Sequence, residues 1–261
     1  MDDLIRKEDG QYKKYEELLL KRDQLAKEAE SIHIAYMREF GELLLRNFEL
    51  KIECIRKKKM ITYCLEALNH GREIDSDDMS RQIEKEMALY EMELKTMLRD
   101  KDTADKAETS TRYKADRAKR IYRRIAKAIH PDINPLTSEN DTLRDLWERT
   151  VIAYRCNDDD ELINLEALVR KAMKDAGEVI DTPTIDNLDE RIENLEEEIN
   201  DIITTEPYIY GDLLSDPDRV EERKNELTKE IEEYEKYSGE LQNMLDGLLS
   251  NGEGGLTWSQ V

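Results

Sequence analysis

The amino-acid sequence predicts an all-α protein built from long amphipathic helices. Charged residues make up 39% of the 261-residue chain, which contains only ten glycines and five prolines. This composition, with so few turn-forming residues, is typical of extended helices around a thin core. Apolar residues recur at three- and four-residue spacing through most of the chain, and no segment has a convincing two-residue period. A compact α/β enzyme would carry more glycine, more aromatic residues and strands of that period.

Residues 1–105 are predicted to form a hairpin of two long helices. The first helix carries a seven-residue apolar series typical of a coiled-coil seam, which only Arg22 interrupts. Gly71 can adopt the left-handed conformation that ends a helix, and Asp75 can cap the next one. A second seam occupies 79–97, so the short turn between matched seams predicts antiparallel packing. The first seam consists of Tyr15, Ala29, Tyr36, Leu43 and Leu50.

A strongly basic amphipathic helix is predicted after the polar residues 101–111, which are interpreted as a linker or a frayed helix end. Its apolar residues share one face, and Pro131 ends the helix at His130 because proline cannot donate a helical hydrogen bond. Residues 112–127 carry eight basic groups and one acid. The apolar face comprises Ala118, Ile121, Ile125, Ala128 and Ile129, and the basic residues are Arg112, Lys114, Arg117, Lys119, Arg120, Arg123, Arg124 and Lys127.

Two further helices complete the central module, 112–175, and an acidic arm follows. Thr137-Ser138 is predicted to cap the helix that follows the basic helix, and residues 157–160 are predicted to cap the last helix of the module. After a boundary at 177–183, two apolar series predict an antiparallel coiled-coil arm over 184–250. The glycine-rich residues 251–261 are predicted to be a flexible tail.

Residues 121–135 read Ile-Tyr-Arg-Arg-Ile-Ala-Lys-Ala-Ile-His-Pro-Asp-Ile-Asn-Pro. They resemble the second helix and loop of J domains, whose pattern is Ala-Tyr-Arg-Lys-Leu-Ala-x-x-Tyr-His-Pro-Asp-x-Asn-Pro. J domains belong to DnaJ-like cochaperones of the seventy-kilodalton heat-shock (DnaK-type) chaperones. Residues that keep identity or character are Tyr122, Arg123, Arg124, Ile125, Ala126, His130, Pro131, Asp132, Asn134 and Pro135.

The segment 146–154 is similar to the third J-domain helix, whose signature is Phe-x-x-Ile-x-x-Ala-Tyr. Trp147 stands at the Phe position and Thr150 at the Ile position, while Ala153 and Tyr154 match outright. Because a His-Pro-Asp tripeptide alone is weakly specific, this second match supplies the context that a short motif needs. The chain is therefore identified as a divergent, bacterial-type member of the J-domain family, over about a fifth of its length.

The resemblance implies a docking site for the ATPase domain and linker of a DnaK-type chaperone. The aspartate of the loop would engage an arginine of that chaperone, and the basic helix would lie on its acidic surface. The expected effect is stimulation of the chaperone's ATPase, with no covalent chemistry in the loop itself. The implied docking residues are His130, Pro131, Asp132, Lys119, Arg120, Tyr122, Arg123, Arg124, Lys127 and Asn134.

The chain departs from the J-domain pattern at several positions. A first helix with Tyr-x-x-Leu-Gly-Val is not recognisable before Arg112, so either the preceding long helix replaces it in packing or the module is a three-helix version. Ile133 replaces the usual basic residue after the motif. The fourth helix lacks the Gln-Lys-Arg signature, and no Gly/Phe-rich linker follows.

Charge and motifs limit the other classes of function. The net charge is −21, and the acidic arm should repel nucleic acid and anionic membranes. Isolated Cys54, Cys64 and Cys156 indicate no zinc ribbon or disulfide framework. No catalytic motif or metal-ligand spacing is present, so we expect no enzyme and no cofactor. His33 is expected to pack in the seam, and His70 to lie near free carbonyls at a helix end. The absence of a signal-like or membrane-spanning segment indicates a cytoplasmic protein.

The sequence thus predicts a cochaperone in which coiled-coil arms recruit a partner or client protein or form a homodimer. Two alternatives remain open. The chain could be a coiled-coil scaffold whose J-like module does not stimulate a chaperone, or a nucleic-acid-binding protein that uses its basic helix.

Overall fold

The computed structural model describes residues 2–107, 111–175 and 187–253, and every element in these ranges is helical. This confirms the predicted all-α class. In the described ranges, no helix combines the length and apolarity needed to cross a membrane. The helices are α1 (Asp2–Asn69), α2 (Ser76–Lys106), α3 (Arg112–Ile129), α4 (Leu136–Glu139), α5 (Asp141–Arg155), α6 (Asp159–Asp175), α7 (Leu188–Thr204), α8 (Tyr210–Leu214) and α9 (Pro217–Glu253).

The chain divides into two compact units that do not coincide with the segments predicted along the sequence. Unit 1 comprises Met1–Ile32 and Glu108–Ile209, and unit 2 comprises His33–Ala107 and Tyr210–Val261. Helix α1 contributes its first part to unit 1 and its remainder to unit 2. The apolar seam of a helix this long can pack on different elements at its two ends.

Unit 1 is built around α3, α5 and α6, each of which packs on the other two. Ion pairs of Arg117 with Asp159 and of Arg124 with Glu166 indicate that α6 runs parallel to α3. Leu20 of α1 joins this core, and α7 packs on α1 through a second cluster. The fully buried side chains of the main core include Ala118, Ile125, Ala126, Ile129, Leu143, Leu162 and Leu165.

Unit 2 combines α2, α8 and α9 with the second part of α1. Cys64 contacts Met79, whereas Arg38, 26 residues earlier on α1, reaches the carbonyl of Ala104, so α1 and α2 run antiparallel. Where α1 contacts α9, residues later in α1 contact residues later in α9, so the two helices run parallel. These contacts join Glu39 to Lys224, Asn47 to Glu230, and Lys57 to Ser238.

Several helix ends follow from local chemistry. Gly71 has a φ of 64° and, with Arg72, closes the end of α1 through hydrogen bonds to Leu68 and Ala67. Asp75 accepts two backbone N–H bonds at the start of α2. Both predicted caps are confirmed, as is the cap at the start of α6, where Asp158 accepts the N–H of Glu161.

Residues 101–106 form the end of α2, which agrees with the predicted hairpin of 1–105, and Ala104 is buried there in the unit 2 core. Arg38 donates to the carbonyls of Ala104 and Ala107 at this helix end. One predicted cap was wrong. Asn140, not Thr137-Ser138, caps α5, because Thr137 is itself buried within the short helix α4.

Other sequence-based boundaries fall partly or wholly outside the described residues. Within 108–111, the end of the predicted linker, the structure describes only Thr111, which caps α3. The boundary at 177–183 lies outside the described residues, as does most of the predicted tail. Within that tail, residues 251–253 belong to α9.

Candidate functional site

The candidate site is the turn between α3 and α4, together with the basic face of α3. Helix α3 ends at Ile129, and the backbone N–H groups of Ile133 and Asn134 both donate to the carbonyl of His130, at 2.9 and 2.7 Å. Pro131 lacks an N–H, so it fits a position where the helical ladder has stopped. The turn is therefore closed by its own backbone.

Asn134 locks the turn to the helices on either side. Its Nδ2 donates to the carbonyl of Ala128 at 3.0 Å, and its Oδ1 accepts the N–H of Leu136 at 3.0 Å. One amide side chain thus satisfies a free carbonyl near the end of α3 and a free N–H at the start of α4. The sequence indicated Asn134 only through its place in the motif.

His130 is only 5% exposed and points into unit 1. Its Nδ1 accepts the backbone N–H of Asp132 at 3.1 Å, so the proton of the neutral ring lies on Nε2. That Nε2 lies 3.7 Å from Oδ2 of Asp23, and the ring meets Trp147 edge-on with centroids 4.6 Å apart. The imidazole therefore holds the turn from inside.

Asp132, in contrast, is exposed, with 44% of its side chain open to solvent. Its Oδ2 lies 3.8 Å from Nδ1 of His130. A carboxylate on a closed turn is well suited to accept two bonds from a guanidinium. Asp132 is thus the ligand that the turn presents.

Ile133, which replaces a basic residue of the J-domain pattern, is a core residue. It is 4% exposed and belongs to the apolar cluster of Tyr15, Leu19 and residues of α7. An aliphatic side chain at this position fastens the turn to α1, which explains why a charge would not fit.

Tyr122 lies in an aromatic stack beneath α1. Its ring stacks on Tyr154 with centroids 4.0 Å apart, and its hydroxyl donates to Oδ2 of Asp23 at 2.7 Å. Burial and the neighbouring carboxylate raise the pKa of Tyr122 above its usual value, and burial raises the pKa of Tyr154 to about 12. Tyr122 is 4% exposed, so it belongs to the interior of unit 1.

Asp23 is the central residue that sequence reasoning missed. Burial by itself raises the pKa of this carboxyl, but interactions with His130, Tyr122 and Arg22 outweigh burial and lower it to about 2. A signal was present, because Arg22, which interrupts the apolar seam, is its neighbour. Two consecutive charged residues at a seam indicate a polar contact across helices.

Three of the predicted docking cations already have partners. Lys127 forms an ion pair with Glu16 of α1, and Nη2 of Arg123 donates to Oε1 of Gln24 at 3.1 Å. Arg124 binds Glu166 of α6 through two parallel hydrogen bonds of 2.7 and 2.9 Å. Much of the basic face is therefore engaged within unit 1.

The side chains of the remaining predicted cations form no ion pair or hydrogen bond with the part of the chain that the structure describes. Lys119 is half-buried and Arg120 is exposed, and neither has a side-chain partner among the described residues. Exposed Arg112 and Lys114 extend this free region toward the start of α3. The free cations and the Asp132 carboxylate are the groups open to an approaching protein.

A cleft of about 300 Å³ separates part of α1 from the aromatic stack. Nζ of Lys27 lies 3.7 Å from the centroid of Tyr154 and donates to Oδ1 of Asn157 at 2.5 Å. Burial lowers the pKa of Lys27 to about 8, although Cys156 and Glu30 partly offset this effect. Lys27 thus fixes α1 to the end of α5.

The two other histidines lie outside this site. His33 is half-buried, with Nε2 3.7 Å from Asp100. His70 is exposed at the end of α1, and its Nδ1 lies 2.8 Å from the carbonyl of Glu66, as predicted for a helix end.

No family model, curated protein or solved structure matches this chain in the comparisons with known proteins. The functional argument therefore rests on the residues and geometry of the site itself.

Proposed function

We propose that this protein is a J-domain-like cochaperone that docks on a DnaK-type chaperone and stimulates its ATPase. The observation that carries the proposal is the turn after α3. His130 and Asn134 hold the turn from within, and the exposed Asp132 carboxylate stands beside a cationic helix. In the His-Pro-Asp-x-Asn pattern, the histidine and the asparagine therefore hold the turn, and the aspartate is the residue exposed to a partner.

The proposed mechanism is a shift in the partner's conformational equilibrium. Asp132 would accept an arginine of the chaperone, while Lys119 and Arg120 would face an acidic surface. Stimulation requires these contacts to be stronger with the hydrolysing state of the chaperone than with its resting state. The proposed location is the cytoplasm, where such a chaperone has ATP.

The long helices of unit 2 suit recruitment of a client or targeted partner, or formation of a homodimer. Leu89 and Met92 of α2 are 77% and 64% exposed, so this helix retains apolar surface outside the core. The cochaperone would then deliver its DnaK-type partner to whatever the long helices bind.

A second candidate is a coiled-coil scaffold whose J-like module does not stimulate a chaperone. The observation that favours it is the burial of Tyr122 and His130 beneath α1. In that case the basic helix and the turn would serve only the packing of unit 1.

ATP hydrolysis by a DnaK-type chaperone, titrated to saturation with the full-length protein, separates the two candidates. We expect several-fold stimulation by the native protein and its loss in Asp132→Asn and His130→Gln. Asp145→Asn is the matched control, because this carboxylate is 67% exposed on α5 and removes the same charge away from the turn. Absence of stimulation by folded native protein at saturation would reject the cochaperone and favour the scaffold.

A further inference from the structure

Residues 10–32 of α1, here called the cover segment, lie on the face of α3 that carries the predicted docking residues. Four of those residues contact it directly. Asp23 receives the hydroxyl of Tyr122 and faces the ring of His130, Gln24 accepts from Arg123, and Glu16 pairs with Lys127.

The cover segment presents the chemistry expected of an external partner. Glu16 and Asp23 are seven residues apart, which places two carboxylates about 10 Å apart along one helix face. Each lies opposite a group of α3 or the turn that can donate a hydrogen bond or carry positive charge. A surface that binds these two acids internally has the charge and the hydrogen-bond donors to bind an acidic surface of another protein.

We infer that the cover segment is an internal competitor, which closes the docking face of α3 until an acidic partner surface displaces it. This inference rests on the proposed function and adds its regulation. Asp132 and Arg120 are exposed and have no contact with the cover segment among the described residues, so a partner can make first contact there before it reaches Tyr122 and Lys127.

The polar contacts of the cover suit a reversible competitor, because partly exposed ion pairs such as Lys127 with Glu16 stabilise only weakly. The apolar contacts of the segment, through Leu20 in the main core and through Tyr15 and Leu19 around Ile133, hold it to unit 1 more firmly. A closed face reduces the apparent affinity for a partner in proportion to the fraction of open molecules. Opening the cover should therefore lower the concentration that half-maximal stimulation requires.

The test compares an opened and a locked form of the full-length protein. Glu16→Lys with Asp23→Asn opens the cover by placing like charges opposite each other and removing the buried carboxylate. The matched control is Glu17→Lys with Glu42→Gln, since both glutamates are exposed on α1 without a side-chain partner among the described residues.

The locked form uses the native exposed thiol of Cys156. Oε2 of Glu30 lies 3.9 Å from the Arg155 guanidinium, so Glu30→Cys brings a second thiol near Cys156 that a flexible bis-maleimide can join. The same variant with each thiol capped separately is its control. This form keeps the test valid if the opened variant loses its fold, as judged by circular dichroism.

The first readout needs no chaperone. Hydroxyl-radical footprinting with peptide mass analysis measures the oxidation of the Tyr122 side chain. Tyr113 on the same helix, which is 68% exposed, is the internal standard. We expect oxidation of Tyr122 relative to Tyr113 to rise at least about 3-fold in the opened form and to stay at the native level in the locked form. Unchanged protection of Tyr122 in a folded opened form would overturn the inference.

The second readout is chaperone ATPase. The half-maximal concentration should fall about 3- to 10-fold in the opened form, and stimulation should be lost in the locked form. Equal stimulation by native, opened and locked forms would overturn the cover but leave the proposed function intact. Exposure of Tyr122 without stimulation by any form would support the cover and reject the proposed function.

Discussion

At the scale of single residues, Asp23 joins the parts of the candidate site. It accepts hydrogen bonds from Tyr122 and Arg22 and faces His130, although its side chain is only 15% exposed. A buried carboxylate with several donors stays ionised because each donor favours the charged form. The charge state of this one residue therefore affects the packing of α1 on α3, and with it the closure that we propose for the docking face.

The low pKa of Asp23 predicts that the stability of the protein falls at acidic pH. Its pKa is about 2 in the folded protein against an ordinary 3.8, so its stabilisation is complete above pH 3.8 and is lost as the pH falls toward 2. The shift corresponds to about 2 kcal/mol of the free energy of unfolding. Asp23→Asn should remove this part of the pH dependence.

Urea unfolding between pH 7 and pH 2.5, followed by Trp147 fluorescence in a Trp258→Phe background, measures the effect. Glu17→Gln is the control, since it removes an exposed carboxylate of the same helix. Parallel pH curves for the native protein and Asp23→Asn would show that Asp23 is not responsible.

The residues of the turn illustrate how far a motif can be interpreted. The sequence identified His130, Asp132 and Asn134 by resemblance, and the structure separates them into two locking residues and one exposed carboxylate. That separation depends on hydrogen bonds to Ala128 and Leu136 and on contacts with α1, which spacing alone does not encode.

At the scale of helices, local chemistry determines where several elements begin and end. The Gly71 end of α1 and the Asp75 cap of α2 involve only neighbouring residues, so both were predictable. For residues 101–106 the sequence left a linker and a frayed helix end open, and they form the end of α2 because Ala104 packs into a core that includes residues far away in sequence. Tertiary packing there overrides the polar character of the segment.

Two glycines should respond in opposite ways to alanine. Gly71→Ala should cost about 1 kcal/mol of the free energy of unfolding, because φ is 64° there and a side chain strains that conformation. Gly239→Ala should stabilise by about 0.5–1 kcal/mol, since Gly239 lies inside α9 and an added Cβ would meet nothing within 4 Å. Thermal and urea unfolding of the two variants beside the native protein check both signs. A gain in stability from Gly71→Ala would contradict the assigned turn.

At the scale of the whole molecule, the buried residues are distributed over separate clusters in two units. Leu165 belongs to the main core of unit 1, and Met87 belongs to the largest core of unit 2, and both are fully buried. Distant sites without shared partners act independently on stability.

Truncation of either residue should therefore act within its own unit. Leu165→Ala should cost about 2–5 kcal/mol and raise amide exchange in α5 and α6, while exchange in α2 stays near native. Met87→Ala should do the reverse. Leu168→Ala, one turn from Leu165 but 43% exposed, is the control. Hydrogen exchange followed by mass spectrometry resolves the two regions, and equal acceleration in both units would contradict independent cores.

The sequence by itself determined the helical class, the seams of the long helices, the basic face of α3 and the ends of helices that neighbouring residues cap. All of these depend on periodicity or on contacts a few residues apart. Only the tertiary structure decided that α1 serves two units, that Ile133 is a core residue and that Asp23 and Glu16 contact Tyr122 and Lys127 of α3. Those outcomes arise from contacts roughly a hundred residues apart, where an apolar or charged face does not specify which of several matching faces it will meet.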